Sequence, residues 1–491
     1  MSATKADLYE TFGQGLESGR AALFAGAGLS AGAGFMNWRE LLSGIANQLG
    51  LDIELESDLL AVAQYHVNDR MGNRTEIDEL IVKAFKTRAK RHPNHDLIAD
   101  LDLSTVWTTN YDHLLEQAFE RAHKVVDAII ESKDLRITSP RRDVVVYKMH
   151  GDVSRPGDAV LTKDDYIAYA STRERELFLS VLRSDLVSKT FLFLGFSFDD
   201  PNIEFVLGNL HLALLGQNKK HFCVMRKPQQ IHFTKAGDTP TPEEVANFRY
   251  ALRKFDLRKV DLLRYGVHTV EILDFNEITE MLQELKRRSR LNDIFVSGSA
   301  HTYEPLGQTV VEQLARKLGT KIIEQECNLI SGFGLGIGGN VIVGALEELY
   351  SQPRRDLSKR LTLRPFPQNF NSNEERIEMW SKYRMDMISK AGFCLFICGN
   401  KLKSEEVVEA DGMIEEWNIC KDQKKYPIPV GVSGHVASKI HQEVMANLEV
   451  YYPGMPQVSK HLEILNDAHA GVDNWLDAMS SIIKLAGRNP A

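Results

Sequence analysis

Cysteine is scarce in this 491-residue sequence, which contains five cysteines and none before Cys223. So low and odd a number excludes a disulfide framework and indicates a reducing compartment. Long hydrophobic runs are absent as well, since stretches such as 191–195 and 393–398 are far too short to cross a bilayer. The first ten residues are polar and acidic, unlike a secretory signal. These absences predict a cytoplasmic protein that does not enter a membrane.

An excess of positive charge is also missing. The 59 Lys and Arg residues against 67 Asp and Glu residues give a formal net charge of −8. No net basic field therefore attracts nucleic acid or anionic lipid, and we expect no nucleic-acid partner. The length predicts two to four domains, and 43% hydrophobic with 26% charged residues is typical of folded protein.

The sequence does contain short β-branched and aromatic runs that alternate with longer amphipathic segments. This alternation predicts an α/β fold with mostly parallel strands. A basic run, Lys286–Arg290, separates two such series, so we predict two Rossmann-like domains, residues 1–288 and residues 289–491. In the first series we predict strands at Ala21–Ala25, Thr105–Thr108, Val144–Met149, Thr190–Leu194, His221–Val224 and Thr269–Leu273. In the second we predict strands at Ile294–Val296, Asn328–Ile330, Leu361–Arg364, Phe393–Ile397 and Ile428–Val430, and helices that include Glu304–Leu318 and Glu405–Lys421.

A glycine-rich segment, Phe24–Gly34 (FAGAGLSAGAG), follows the first predicted strand directly. Glycines at a strand-to-helix turn let backbone N–H groups approach phosphates. They also permit close packing between a strand and a helix, and the motif alone does not choose between these two roles.

Three other predicted strands end in polar or glycine residues. Asn110 and Asp112 follow one strand, His150 follows another, and Gly195 and Ser197 follow a third. Taken singly, Asn110 could cap a helix, and Asp112 could either support binding or favour a helix N-terminus; His150 could be a core histidine. Parallel strands bring their carboxyl ends to one edge of the sheet, so the four clusters together indicate an active site.

In order and context, these motifs resemble those of the sirtuins: 26–30 (GAGLS), 109–112 (TNYD), 150–151 (HG) and 195–197 (GFS). The resemblance covers about residues 1–285 and implies a Rossmann-like fold that binds NAD. It implies that Asn110 and His150 are the catalytic pair. The implied NAD-binding residues are Ala25, Gly26, Ala27, Gly28, Ser30, Asp112, Gly195 and Ser197.

The sequence departs from deacetylase sirtuins in one respect that bears on function. Those enzymes carry a zinc module with two CxxC pairs, whereas here the first 222 residues contain no cysteine, which excludes a Cys₄ zinc site in this domain. We therefore expect no metal, and NAD+ as a substrate rather than a cofactor. Cleavage of its nicotinamide–ribose bond needs no general acid, because nicotinamide leaves as a neutral molecule. An amide that orients ribose or water and a histidine that accepts a proton would suffice.

The second half contains its own glycine loop, Leu329–Gly339 (LISGFGLGIGG), in which Gly334, Gly336 and Gly339 satisfy GxGxxG. Close strand–helix packing again competes with phosphate binding. The half lacks a persuasive nucleophile or carboxylate pair, and Glu415 and Glu416 are expected on a helix surface. We predict a pocket for an anionic nucleotide formed by Ser297, Gly298, Ser299, Gly332, Phe333, Gly334, Leu335, Gly336, Arg364, Lys382, Arg384 and Asn400.

This half resembles the SLOG family of nucleotide-sensing domains through 297–300 (SGSA), 331–339 (SGFGLGIGG) and 364–367 (RPFP). A sirtuin-like domain followed by a SLOG domain resembles the effectors of Thoeris antiphage defence. That resemblance implies an NAD+ glycohydrolase, activated by a cyclic ADP-ribose isomer that a TIR-domain partner makes, which depletes cellular NAD. It also implies a homotetramer. A non-catalytic nucleotide sensor or scaffold and a protein deacylase are the alternatives.

Overall fold

In the computed structural model, the chain divides into two compact units, Met1–Ser289 and Arg290–Ala491. The structure describes residues 3–85, 90–136, 139–198, 200–234, 237, 239–352 and 357–488. No helix within these residues is both long and apolar enough to span a membrane.

Within the described residues, the sheet of the first unit has seven parallel strands in the order β3-β4-β2-β1-β5-β6-β7. The central strands are buried along their whole length, which explains their continuous apolar runs. The chain first extends the sheet on one side of β1 and then returns to the other side with β5, and such a switch point favours ligand binding. The strands are β1 (Ala21–Ala25), β2 (Thr105–Thr108), β3 (Val126–Ile129), β4 (Val144–Lys148), β5 (Thr190–Leu194), β6 (His221–Arg226) and β7 (Val267–Ile272).

Helices cover both faces of this sheet. Alternate strand residues enter two different cores; for example, Leu23 packs with α1, α6, α7 and α12, whereas Phe24 packs with α9, α10 and α11. A smaller core joins α3, α4 and α5. The helices are α1 (Lys5–Glu17), α2 (Ala27–Ala31), α3 (Trp38–Gln48), α4 (Leu59–Asp69), α5 (Thr75–Phe85), α6 (Pro93–Asp100), α7 (Leu114–Arg121), α8 (Lys163–Ser171), α9 (Arg173–Ser188), α10 (Pro201–Ala213), α11 (Pro242–Arg264) and α12 (Asn276–Ser289).

The described residues of the second unit form a five-stranded parallel sheet in the order β10-β9-β8-β11-β14. Its switch point lies at β8, because β9 and β10 are added on one side and β11 and β14 on the other. A separate antiparallel hairpin joins β12 and β13. The strands are β8 (Asp293–Ser299), β9 (Asn328–Ser331), β10 (Leu361–Leu363), β11 (Phe393–Cys398), β12 (Asn400–Lys403), β13 (Glu406–Glu409) and β14 (Tyr426–Pro429).

One hydrophobic core holds the helices of this second unit against the sheet. These helices are α13 (Gln308–Glu324), α14 (Gly338–Ser351), α15 (Leu357–Arg360), α16 (Asn373–Ser389), α17 (Asp411–Asp422), α18 (His435–Ala446), α19 (Leu448–Tyr451), α20 (Ser459–Ile464) and α21 (Val472–Arg488).

Two predicted helices of the second unit have the wrong bounds. The prediction that a helix covers Glu405–Lys421 is wrong at its start, because Glu406–Glu409 pairs as β13 with β12 and the helix begins only at Asp411. The helix predicted from Glu304 begins at Gln308. Gly307 has a φ of +82°, which an α-helix does not permit, so the helix cannot extend back to Glu304.

Candidate active site

Four neighbouring strands, in the order β4-β2-β1-β5, place the predicted catalytic and NAD-binding residues at one edge of the sheet. Thr108 pairs with Lys148 in the parallel register, so Asn110 and His150 each lie two residues beyond a matched pair. Ala25 pairs with both Thr108 and Leu194, which brings the glycine loop after β1 between the ends of β2 and β5. The parallel topology therefore assembles the first three motifs and Gly195 as the sequence predicts.

The side chain of Asn110 is buried and held in one orientation. Its Nδ2 donates to the carbonyl of Gly26 at 3.1 Å and to Oγ of Ser30 at 2.9 Å. Its backbone N–H donates to Oγ1 of Thr108. Oδ1 is also buried but has no hydrogen-bond partner among the described residues. Buried acceptors are almost always satisfied, so this oxygen is available to a ligand hydroxyl or a water molecule.

His150 is equally enclosed, with 2% of its surface exposed. Its Nε2 lies 2.9 Å from Oδ2 of Asp200, and Oη of Tyr166 donates to the same oxygen at 2.8 Å. The other ring nitrogen, Nδ1, is buried without a partner in the described part of the chain. The site thus presents two unpaired polar atoms, Oδ1 of Asn110 and Nδ1 of His150, at adjacent strand ends.

The glycines of the first loop serve mainly to bring two loops together. Gly26 N–H donates to the carbonyl of Leu194, and Gly28 N–H donates to that of Gly195, both at 2.9 Å. A Cβ atom on Gly26 would lie 2.4 Å from the carbonyl oxygen of Gly195. These two amides are already bonded within the protein, so they do not supply the phosphate contacts that the sequence suggested for the loop.

Three further predicted NAD-binding residues are distributed around this loop. Asp112 accepts from Oγ of Ser30 at 2.7 Å through Oδ2 and from the N–H of Leu114 at 2.9 Å through Oδ1. It therefore contacts both the loop and the first N–H of α7, whose N-cap residue is His113. Ser197 is exposed, and its carbonyl accepts from Arg258.

A buried charge cluster lies beneath the site. Lys148 Nζ is fully buried and contacts Oε1 of Glu116 at 2.9 Å, Oδ2 of Asp152 at 2.5 Å and the carbonyl of Asp112 at 2.5 Å. Burial alone would lower the pKa of Lys148, but Glu116 and Asp152 outweigh it and the pKa is raised. Burial likewise opposes ionisation of Asp152, yet its hydrogen bond from His113 and the charge of Lys148 hold its pKa well below the usual value. The ammonium thereby joins the turn after β2, which carries Asn110, to the turn after β4, which carries His150.

We expect Lys148→Met to lower the free energy of unfolding by about 3–5 kcal/mol, because it leaves two buried carboxylates without their cation. Lys133→Met is the matched control: it removes an exposed lysine from its pair with the partly buried Glu131, so its cost should stay below about 1 kcal/mol. Urea unfolding of both variants measures the difference. Equal midpoints would contradict the importance assigned to the cluster.

Sequence reasoning missed Lys148, Tyr166 and Asp200 as contributors to the site. Lys148 is part of a β-strand, and Tyr166 lies on α8, between the motifs at 150–151 and 195–197. The sequence does contain a signal for Asp200 as a helix N-cap, because an acidic residue that follows a strand end and precedes a proline, here Pro201, is typical of that position. Its contact with His150 arises only from the tertiary fold.

In the second unit, the predicted pocket residues gather at the switch point of the sheet. Ser297, Gly298 and Ser299 end β8, and the Gly332–Gly336 loop follows β9 beside it. A Cβ on Gly334 would lie 1.8 Å from the carbonyl oxygen of Gly298, so this glycine permits contact between the two loops. Phe333 and Leu335 of the same loop are 45% and 67% exposed. The loop therefore exposes apolar side chains to a ligand in addition to its backbone.

The four remaining predicted pocket residues differ in the exposure of their side chains and in the contacts that these side chains already make. The backbone N–H of Arg364 donates to Ser331, which places this residue beside the glycine loop; its exposed guanidinium lies 3.7 Å from Asp386. Lys382 is exposed and pairs with Glu378 on its own helix. Oδ1 of the fully buried Asn400 accepts from the N–H groups of His301 and Thr302.

Arg384 is buried and already paired. Its Nη1 lies 2.6 Å from Oε2 of Glu415, and its guanidinium lies over the ring of Phe366. The expectation that Glu416 is a surface residue is wrong: it is buried, and it accepts a hydrogen bond of 2.5 Å from Ser297. Burial raises the pKa of Glu416 to about 6. The helical pattern missed this residue because it faces the end of β8.

Neither the cysteines nor the potential metal ligands among the described residues form an additional site. All five cysteines are free and buried. Among the described residues, no group of three or more His, Cys, Asp or Glu side chains is arranged to hold a metal ion.

Comparison with known proteins connects both units to described families. Residues 104–249 match the SIR2-like domain, and residues 277–486 match the Sir2- and TIR-associating SLOG family. The predicted fold class, a sirtuin-like domain followed by a SLOG domain, is thereby confirmed.

Three relatives align with nearly the whole chain. NAD(+) hydrolase ThsA of Bacillus cereus (strain MSX-D12) is 41% identical over 451 residues, which cover 91% of each chain. NAD(+) hydrolase ThsA of Acinetobacter baumannii (strain 532279) is 37% identical over 477 residues, 96% of each chain. NAD(+) hydrolase ThsA of Cytobacillus dafuensis is 36% identical over 487 residues, covering 99% of this chain and 97% of the relative. Since such identity extends over nearly the whole of each protein, the chain belongs to the ThsA family of NAD(+) hydrolases.

Proposed function

We propose that the protein hydrolyses NAD+ to nicotinamide and ADP-ribose at the edge of the first sheet. The observation that carries the proposal is the pair of buried, unpaired atoms, Oδ1 of Asn110 and Nδ1 of His150, at adjacent strand ends. A bound substrate can satisfy both atoms, which is the usual state of buried polar groups. Membership of the ThsA family supports NAD+ as that substrate.

The residues fit the chemistry in a simple way. The bond between the ribose anomeric carbon and the pyridinium nitrogen breaks, and its electron pair neutralises nicotinamide. A water oxygen bonds to the same carbon, and the released proton passes to Nδ1 of His150 and then to solvent. The carbonyl of Asn110 orients the water or a ribose hydroxyl, because its Nδ2 is fixed by Gly26 and Ser30.

Incubation of the purified protein with NAD+, with separate detection of nicotinamide and ADP-ribose, tests this function. Equimolar release of the two products is expected. Binding of NAD+ without release would favour a non-catalytic sensor, and nicotinamide release that requires an acylated peptide would favour a deacylase. Either result would overturn the proposal.

The second unit regulates this activity in our proposal: a cyclic ADP-ribose isomer binds at the switch point of its sheet and accelerates NAD+ cleavage. Exposed Arg364 beside the Gly332–Gly336 loop, together with exposed Phe333, supports binding of an anionic nucleotide whose aromatic base can stack on a phenyl ring. A ligand can activate only through a higher affinity for the active state than for the inactive one.

Arg364→Ala should weaken binding of the activator by about 1.5–3 kcal/mol, the contribution of a charge-assisted hydrogen bond. Saturating activator should restore much of the rate, since the NAD+ site is unchanged. Arg376→Ala removes an exposed arginine that lies over Trp380 and serves as the control. Calorimetric titration and nicotinamide release measure both effects; an unchanged response in Arg364→Ala would remove this residue from the pocket.

We extend the proposal to a wider role, which membership of the same family supports. A TIR-domain partner protein would make the activator during phage infection, and NAD depletion would stop phage production in the cytoplasm. The active form would be a homotetramer. The match of residues 277–486 to a Sir2- and TIR-associating family supports the TIR partner.

A further inference from the structure

We infer that Asp200 is a positioning residue that fixes the tautomer of His150, so that Nδ1 faces the reaction as a proton acceptor. This inference rests on the proposed function, because it assigns a task to the histidine used there. Asp200 lies outside the four motifs, and its contact with His150 cannot be derived from the pairing of the strands.

The two carboxylate oxygens of Asp200 have separate partners. Oδ1 accepts from the N–H groups of Asn202 at 2.9 Å and Ile203 at 3.1 Å, at the N-terminus of α10. Oδ2 lies 2.9 Å from Nε2 of His150 and accepts from Oη of Tyr166 at 2.8 Å. The helix therefore holds one oxygen, and the other has a fixed position against the imidazole ring.

The state of the carboxyl group decides which ring nitrogen carries the proton. Burial disfavours the carboxylate, but its contact with His150 and the hydrogen bonds that it accepts from Ile203 and Tyr166 outweigh burial and lower the pKa of Asp200. An ionised carboxylate only accepts hydrogen bonds, so Nε2 of His150 must donate, and in the neutral ring Nδ1 is left unprotonated. Nδ1 is the buried nitrogen without a partner among the described residues.

Among the residues that the structure describes, Tyr166 also lies beside His150, and it does not compete with Asp200 in setting the tautomer. The ring of Tyr166 lies 5.4 Å from the imidazole, centroid to centroid, and Oη is 3.4 Å from Nε2. Since this hydroxyl donates to Asp200, it reinforces the carboxylate rather than replacing it. Both neighbours act on the same nitrogen, and the opposite nitrogen remains for the substrate.

Asp200→Asn tests the inference with almost no change in shape. Asparagine is an equally good N-cap, so its Oδ1 should keep the bonds from Asn202 and Ile203. Its Nδ2 then faces Nε2 of His150 as a donor, which moves the ring proton to Nδ1 and removes the acceptor. We expect kcat to fall by roughly 10²–10⁴-fold with KM nearly unchanged.

Asp185→Asn is the matched control: Asp185 is 8% exposed against 9% for Asp200, and its partners are Trp107 and Lys189 rather than site residues. Its activity should remain parental. Tyr166→Phe keeps the contact between Asp200 and His150 and should lose much less activity than Asp200→Asn.

Nitrogen NMR of histidine-labelled protein reads the tautomer directly, with His150→Gln used to assign the signal. The parental protein should show a proton on Nε2, and Asp200→Asn should show it on Nδ1. A parental Nδ1–H tautomer, or a folded Asp200→Asn variant with parental kcat, would overturn the inference. Binding of NAD+ without release of nicotinamide by the parental protein would instead overturn the proposed function. The NMR measurement of the tautomer needs no turnover, so the two failures are distinguishable.

Discussion

Alanine at Asn110 or at His150 is expected to reduce NAD+ cleavage by at least about 100-fold, the scale of losing an orienting amide or a general base. Both side chains are buried, but each has one polar atom without a partner among the described residues, so catalysis should suffer more than folding. Steady-state release of nicotinamide measures the effect, and thermal unfolding confirms that each variant is folded.

His221→Ala provides the control for a buried histidine in the same sheet. Nδ1 of His221 accepts from the N–H of Phe191, so its loss should lower stability while the folded fraction keeps the parental rate. If the folded Asn110→Ala and His150→Ala variants turned over NAD+ as fast as His221→Ala, the catalytic assignment would be wrong.

The second large effect is expected at Gly195. This residue has a φ of +63°, and an ideal Cβ would lie 2.2 Å from the backbone nitrogen of Leu29. Gly195→Ala must therefore push the loop after β1 away, break the bond from Gly28 N–H, and displace the carbonyl of Gly26 that holds Asn110. A displacement of about 1 Å in such a site can cost about 100-fold in rate.

Gly19→Ala separates this collision from backbone strain alone. Gly19 has a φ of +67°, but a Cβ there meets no atom of the described residues within 4 Å. It should cost about 1–2 kcal/mol of stability and no activity. Gly195→Ala should lose more stability and most of its NAD+ cleavage; a pair of variants that behave alike in both assays would contradict the role of the glycine contact.

The sequence by itself determined the central architecture of both units. Ala21–Ala25 and Thr190–Leu194 have the predicted bounds, because strands buried on both faces require continuous apolar runs with sharp ends. The motifs after those strands also fell at one sheet edge, since parallel strands leave no other place for their carboxyl ends. The two strands that the sequence pattern missed are solvent-exposed. Val126–Ile129 is a partly exposed edge strand with an aspartate, and Glu406–Glu409 is a surface hairpin strand.

Only the tertiary structure decided how the candidate site is held. The burial of Lys148 between Glu116 and Asp152, and the contact of Asp200 with His150, join residues that lie 4 to 50 positions apart. No local pattern marks such pairs, because a lysine in a strand or an aspartate before a helix is ordinarily solvated. The same holds for Glu416, whose contact with Ser297 spans two elements. Sequence periodicity indicates which face of a helix or strand is apolar. Whether a charged side chain is buried and paired depends on contacts between elements, which periodicity does not show.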